Sequence, residues 1–108
     1  MNGYSWMVKT YCFDIDGTIC ITPESNYHLS SPLLERIAVV NKLFDSGNEI
    51  HFFTARGAAT GHDWRELTET QLNSWGVKYH KLIMGKPHAD LFIDDKAMSD
   101  IDFFKQID

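Results

Sequence analysis

The chain has 108 residues, a net charge of −5 and a pI near 5.4, with 44% hydrophobic and 23% charged residues. That length suits one domain, residues 1–108, built on one core, and the ordinary composition excludes a disordered or fibrous chain. The acidic balance disfavours nucleic acid as a partner, because affinity for a phosphate backbone comes from clustered Lys and Arg, and no apolar run approaches the roughly 20 residues that cross a bilayer; a cytoplasmic protein without a membrane partner is expected.

Residues 1–6 precede a second Met-Val-Lys start and read as an extension without function, disordered in the folded protein. Val8 to Ile15 is β-rich and predicts a buried strand, with Cys12 inside it and Cys20 in the loop beyond, both expected to be buried reduced thiols. Gly17 to Ser30 predicts a flap. Pro32 to Phe44 carries Leu33, Leu34, Ile37, Val40, Leu43 and Phe44 at helical spacing, with Ser31-Pro32 as N-cap and first turn and Gly47 as the stop.

Glu49 to Thr54 predicts a second strand. Asp63 to Trp75, closed by Gly76, predicts a second helix, and Tyr79 to Met84 and Leu91 to Ile93 predict a third and a fourth strand. Trp64, Trp75, Phe52, Phe53, Phe103 and Phe104 read as core rather than as a base-stacking platform. Strands alternating with helices predict an α/β fold, a Rossmann-like three-layer sandwich on a small parallel sheet, with its ligand site beyond the carboxyl ends of the strands.

Those ends are where the polar residues fall: Asp14 and Asp16 after the first strand, Thr54 after the second, Lys86 after the third, Asp94 and Asp95 after the fourth. Like charges brought that close repel by kilocalories unless a cation intervenes. The five histidines show no metal-ligand spacing, and only His88, beside Lys86-Pro87, falls near the site.

The series Asp14-Ile15-Asp16-Gly17-Thr18, Phe53-Thr54-Ala55-Arg56-Gly57, Gly85-Lys86-Pro87 and Ala89 to Ala97 resembles the four motifs of the haloacid dehalogenase superfamily. Within it, the chain looks like the small capsule- and polysaccharide-biosynthesis phosphatases, over about Lys9 to Phe104. Residues 17–53 and 55–85 leave no room for a cap domain, so the resemblance implies a capless core of that superfamily. It implies Asp14 as a nucleophile that forms an aspartyl phosphate and Asp16 as general acid and base, with Thr54 and Lys86 on the phosphoryl oxygens. It implies Mg²⁺ held by Asp14, Asp16, Asp94 and Asp95.

Arg56 either holds a substrate anion, beside Gly57, or forms a surface ion pair; Tyr27 and His88 are further candidates to face the substrate, and Lys96 balances local charge. The implied reaction is phosphomonoester hydrolysis of a small phosphorylated substrate, such as a sugar or polyol phosphate of polysaccharide precursor synthesis. A polynucleotide or other macromolecular phosphatase and a weakly active scaffold partner are the alternatives. A two-component receiver is disfavoured, because its acidic pair comes first and its acceptor Asp mid-chain. Exposed apolar surface on so small a domain leaves room for a homo-oligomer.

Overall fold

The computed structural model describes residues 8–107, so the expectation for residues 1–6 lies outside it. In chain order the elements are β1 (Thr10–Phe13), β2 (Cys20–Ile21), β3 (Ser31–Pro32), α1 (Leu34–Asp45), β4 (Glu49–Thr54), α2 (Arg65–Ser74), β5 (Lys81–Met84) and α3 (Asp100–Ile107). β1, β4 and β5 form a parallel sheet in the order β1-β4-β5, with Phe13 beside Phe52 and Thr54 beside Met84. This is an α/β architecture consistent with a Rossmann-like fold. No helix among the described residues is long and apolar enough to cross a membrane.

β4 shows why the sheet forms where it does. In Glu49–Thr54 every second residue, Ile50, Phe52 and Thr54, is fully buried, the period-two signature of a strand. Ile15, Ile19, Ile37, Val40, Leu72 and Leu82 complete the core around it. α3 docks through Phe103 and Phe104, whose rings lie 5.5 and 6.1 Å from that of Phe13. Arg36 of α1 stacks on Phe104 at 4.7 Å and pairs with Asp100 at 2.7 Å, tying α3 to α1.

Three sequence expectations are corrected. Ser31-Pro32 does not start a helix; it pairs antiparallel with Cys20–Ile21, and α1 begins at Leu34 without a side-chain cap. A local Ser-Pro signal yields there to pairing partners ten and twelve residues away, which only the folded chain supplies. Leu91–Ile93 forms no strand. Leu91 is 77% and Ile93 93% exposed, Phe92 lies under the Lys86 ammonium at 4.5 Å, and Asp94 accepts the Lys96 N–H in a local turn. Three apolar residues between Asp90 and Asp94-Asp95 carry little burial energy against the hydration of those carboxylates.

Cys12 is exposed rather than buried, because it projects from the face of β1 opposite Tyr11 and Phe13; Cys20 is buried, and both are free thiols. With denaturation excluded, a disulfide-exchange reagent should therefore titrate one thiol per chain quickly. Cys12→Ser should abolish that phase and move stability by no more than about 0.5 kcal/mol. Two fast-reacting thiols, or none, would contradict the placement.

Candidate functional site

The carboxyl end of the sheet opens into a cleft of about 180 Å³, lined by Asp14, Asp16, Thr22, Ser25, Tyr27, Ala55, Arg56 and His88. Asp14 directly follows β1, and Gly17, in the left-handed region at φ +82, turns the chain sharply after Asp16. The Gly17 N–H donates to the Cys20 carbonyl at 2.8 Å, and Ile15 receives the N–H groups of Thr18 and Ile19. This tight turn sends both carboxylates toward the cleft.

Asp14 and Asp16 sit in opposite electrostatic states. Burial pushes the Asp14 carboxyl above the usual carboxylate range, against the opposing charge of Lys86, whose Nζ lies 3.8 Å from Oδ2. Burial acts the same way on Asp16, but hydrogen bonds from Arg56 and Thr22 and the Arg56 charge outweigh it and hold Asp16 below that range. The Lys86 backbone N–H donates to the Thr54 carbonyl at 3.0 Å, one step past the β4–β5 ladder. That bond anchors the lysine backbone at the end of the sheet.

Arg56 is neither a surface ion pair nor a free anion hook. It is 2% exposed, and its side chain donates five hydrogen bonds, to Asp16 Oδ1 and Oδ2, Thr68, Gln71 and Ser30. A guanidinium carries five N–H groups, so none remains for a substrate anion in this arrangement. Its plane also lies over the Tyr27 ring at 4.8 Å.

Of the remaining candidates, Tyr27 and His88 line the cleft. Thr54 does not: it is fully buried and its Oγ accepts the Arg56 backbone N–H at 3.2 Å, while Ala55 lines the wall. Gly57 plays a packing part instead. At φ +83, a Cβ there would lie 2.1 Å from the His62 carbonyl oxygen. Gly57→Ala should cost about 2–3 kcal/mol in urea unfolding, whereas Gly61→Ala, strained but facing open space, should cost about 1 kcal/mol. Equal costs would show that the loop relaxes freely.

Asp94 and Asp95 are exposed, do not line the cleft and are not brought to Asp14 and Asp16. Among the described residues no group of three or more His, Cys, Asp or Glu side chains is placed to hold a metal ion. Trp64, expected in the core, is half-buried against Tyr27, His28 and His62 at 5.0, 5.5 and 4.7 Å.

Sequence reasoning missed Thr22, Ser30, Thr68 and Gln71. The last two had a legible signal: Trp64, Thr68, Gln71 and Trp75 follow an i, i+4, i+7, i+11 spacing, which puts two polar groups in the inward stripe of α2. Thr22 and Ser30 had none beyond their place at the two ends of the part of the flap between β2 and β3.

Fold and site together define an α/β domain with a carboxylate-lined cleft at the carboxyl end of a parallel sheet. No family model matches the chain, and no curated protein does. Among solved structures, a Vibrio cholerae structural-genomics target is similar at 28% identity and a TM-score of 0.79, over 93% of this chain and 94% of the other. A chain from a Pnkp1/Rnl/Hen1 complex is similar at 20% identity and a TM-score of 0.59, over 81% of this chain and 30% of the other. A second structure, of the Pnkp1/Rnl/Hen1 RNA repair complex, gives 19% and 0.60, over 93% and 30%. At these last two identities the likeness is one of fold.

Proposed function

We propose that this chain is a capless, Mg²⁺-dependent phosphomonoester hydrolase of the haloacid dehalogenase type, with Asp14 as its nucleophile. The observation that carries this reading is geometric: two carboxylates two residues apart line one cleft, with the Lys86 ammonium 3.8 Å from Asp14 and the Arg56 guanidinium gripping Asp16 at 2.8 and 2.9 Å.

Asp14 would attack phosphorus in line while the ester oxygen departs, so that its carboxylate gains the phosphoryl group. Lys86 offsets the charge on Asp14 and on the transferring group. Asp16, held ionised by Arg56 and Thr22, would take a proton from the water that cleaves the acyl phosphate and, once loaded, give it to the leaving oxygen of the next substrate.

Of the carboxylates implied for Mg²⁺, Asp14 lines the cleft as an oxygen donor, whereas the Asp16 side chain is committed to Arg56 and Asp94 and Asp95 are not assembled with them. Asp14, the Asp16 carbonyl and Asp94, with Asp95 beside it, are the residues that would hold the ion, which when bound supplies positive charge to the phosphoryl oxygens. Asp94 and Asp95 now stand in solvent, so their part in the set needs the chain beyond the anchored Lys86, residues 87–99, to rearrange.

The substrate we favour is a small phosphorylated metabolite, a sugar or polyol phosphate of polysaccharide precursor synthesis. An open cleft also admits a polynucleotide or other macromolecular phosphate, against which stands the net charge of −5. The deciding experiment is phosphate release from sugar, polyol, nucleotide and 3′-phosphorylated oligonucleotide substrates, with Mg²⁺ and with EDTA. Release that needs Mg²⁺ supports the reading and ranks the substrates. No release from any of them would count against it and favour a scaffold partner.

A further inference from the structure

We propose that Arg56 is the positioning residue for Asp16, and that Thr68 and Gln71 of α2 and the flap hydroxyls of Thr22 and Ser30 lock the guanidinium in place for that task. This rests on the reading of Asp16 as the proton-transfer group of the cleft.

The donor count comes first. Arg56 Nε and Nη2 grip Asp16 Oδ2 and Oδ1 at 2.9 and 2.8 Å; Nη1 reaches Thr68 Oγ1 at 3.1 Å and Gln71 Oε1 at 2.7 Å; and Nη2 also reaches Ser30 Oγ at 3.3 Å. The two-point grip fixes the plane of the carboxylate, which a lysine with its point charge cannot do. The Arg56 side chain is wholly buried while that of Asp16 is 27% exposed, so of these two residues in the cleft lining it is the carboxylate that solvent and substrate can reach.

Each anchor has only one hydrogen-bonding sense. Thr68 donates its hydroxyl to the Trp64 carbonyl at 2.7 Å, which leaves a lone pair for Arg56. Gln71 donates its amide to the Tyr27 carbonyl at 2.6 Å, which turns Oε1 toward Arg56. Thr22 donates to Asp16 Oδ1, so the Ser30 hydroxyl donates to Thr22 at 2.6 Å and accepts from Arg56. Donors run from Arg56 to Ser30 to Thr22 to Asp16, and the direct bonds from Arg56 end on the same carboxylate. A network so polarised has one arrangement, and α2 and both ends of the flap must be seated for it to form.

The test uses the full chain with Mg²⁺ and two probes, p-nitrophenyl phosphate, whose leaving group needs no protonation, and glycerol 2-phosphate, whose leaving group does. Arg56→Gln and, with the arginine kept, the double variant Thr68→Val/Gln71→Leu are each made in wild-type and Asp16→Asn backgrounds.

The expected result is a fall in kcat of about 100-fold for Arg56→Gln and about tenfold for the double variant on glycerol 2-phosphate, with KM within about twofold. The loss should be several-fold smaller on p-nitrophenyl phosphate and should largely vanish in the Asp16→Asn background, as a role exerted through Asp16 requires. Equal losses in both backgrounds, equal losses on both probes, or a raised KM at unchanged kcat would overturn the proposal. If Arg56→Gln does not fold, the double variant decides alone. Wild type without turnover on either probe is a different failure, since it removes the phosphatase reading itself and the proposal with it.

Discussion

Asp14→Asn should reduce phosphate release by at least about 10³-fold, because an amide cannot form the acyl phosphate and the remaining groups only bind and polarise the substrate. Substrate affinity, read by calorimetry, should survive, since Lys86 and the cleft walls are unchanged. Stability should move the opposite way. Burial raises the Asp14 pKa in the folded protein above its value of 3.8 in the free group, so ionised Asp14 opposes folding. That cost is absent below the unfolded pKa, develops as pH rises toward the folded pKa and is complete above it. In EDTA at pH 7 the Asn variant should therefore unfold at a higher temperature than wild type, and at pH 3 the difference should close. An active variant would remove Asp14 from the nucleophile role, and a less stable one would contradict the burial argument.

The parts of this molecule that were legible in its sequence are those fixed by neighbours in the chain. Glu49–Thr54 is a strand from end to end because the alternation of Glu49, Ile50, His51 and Phe52 sets which side is buried, a period that Thr54 continues. Asp14, Asp16 and Gly17 declare a strand end and a sharp turn within four residues. The sequence pattern places α1 and α2 to within two residues or so, the usual scatter of frayed ends, but does not place α3, Asp100–Ile107.

The illegible parts depend on partners far away in sequence. Arg56 reads as a substrate-anion holder or a surface ion pair until Asp16, 40 residues before it, and Thr68 and Gln71, 12 and 15 after it, are seen to enclose it. The apolar run at Leu91 reads as a strand, but a strand also requires a neighbour to take up its N–H and C=O groups, and local pattern does not supply one. Ser31-Pro32 has the opposite history: a good helix start that a neighbouring strand claims.

Arg56→Ala tests the largest of those distant dependences. Removing one partner of a buried ion pair leaves the other charge without compensation, and the usual cost is about 3–5 kcal/mol, a large share of the 5–15 kcal/mol that holds a domain together. For a chain of this size that corresponds to a midpoint lower by about 12 °C or more.

The pH dependence identifies the cause. Burial pushes the Asp16 pKa up and the Arg56 and Thr22 hydrogen bonds pull it further down, so in wild type the pair contributes stability that is fully present above the unfolded value of 3.8 and is lost as pH falls through the depressed folded value. The gap between wild type and Arg56→Ala in urea unfolding should therefore be widest near pH 7 and shrink below pH 4. Arg56→Met combined with Asp16→Leu should recover much of the loss at pH 7 although it leaves no proton-transfer group, because the cost lies in the abandoned carboxylate rather than in the missing guanidinium. A pH-independent gap, with no recovery in the double variant, would place the stability of this site in packing around the arginine stem and not in the ion pair.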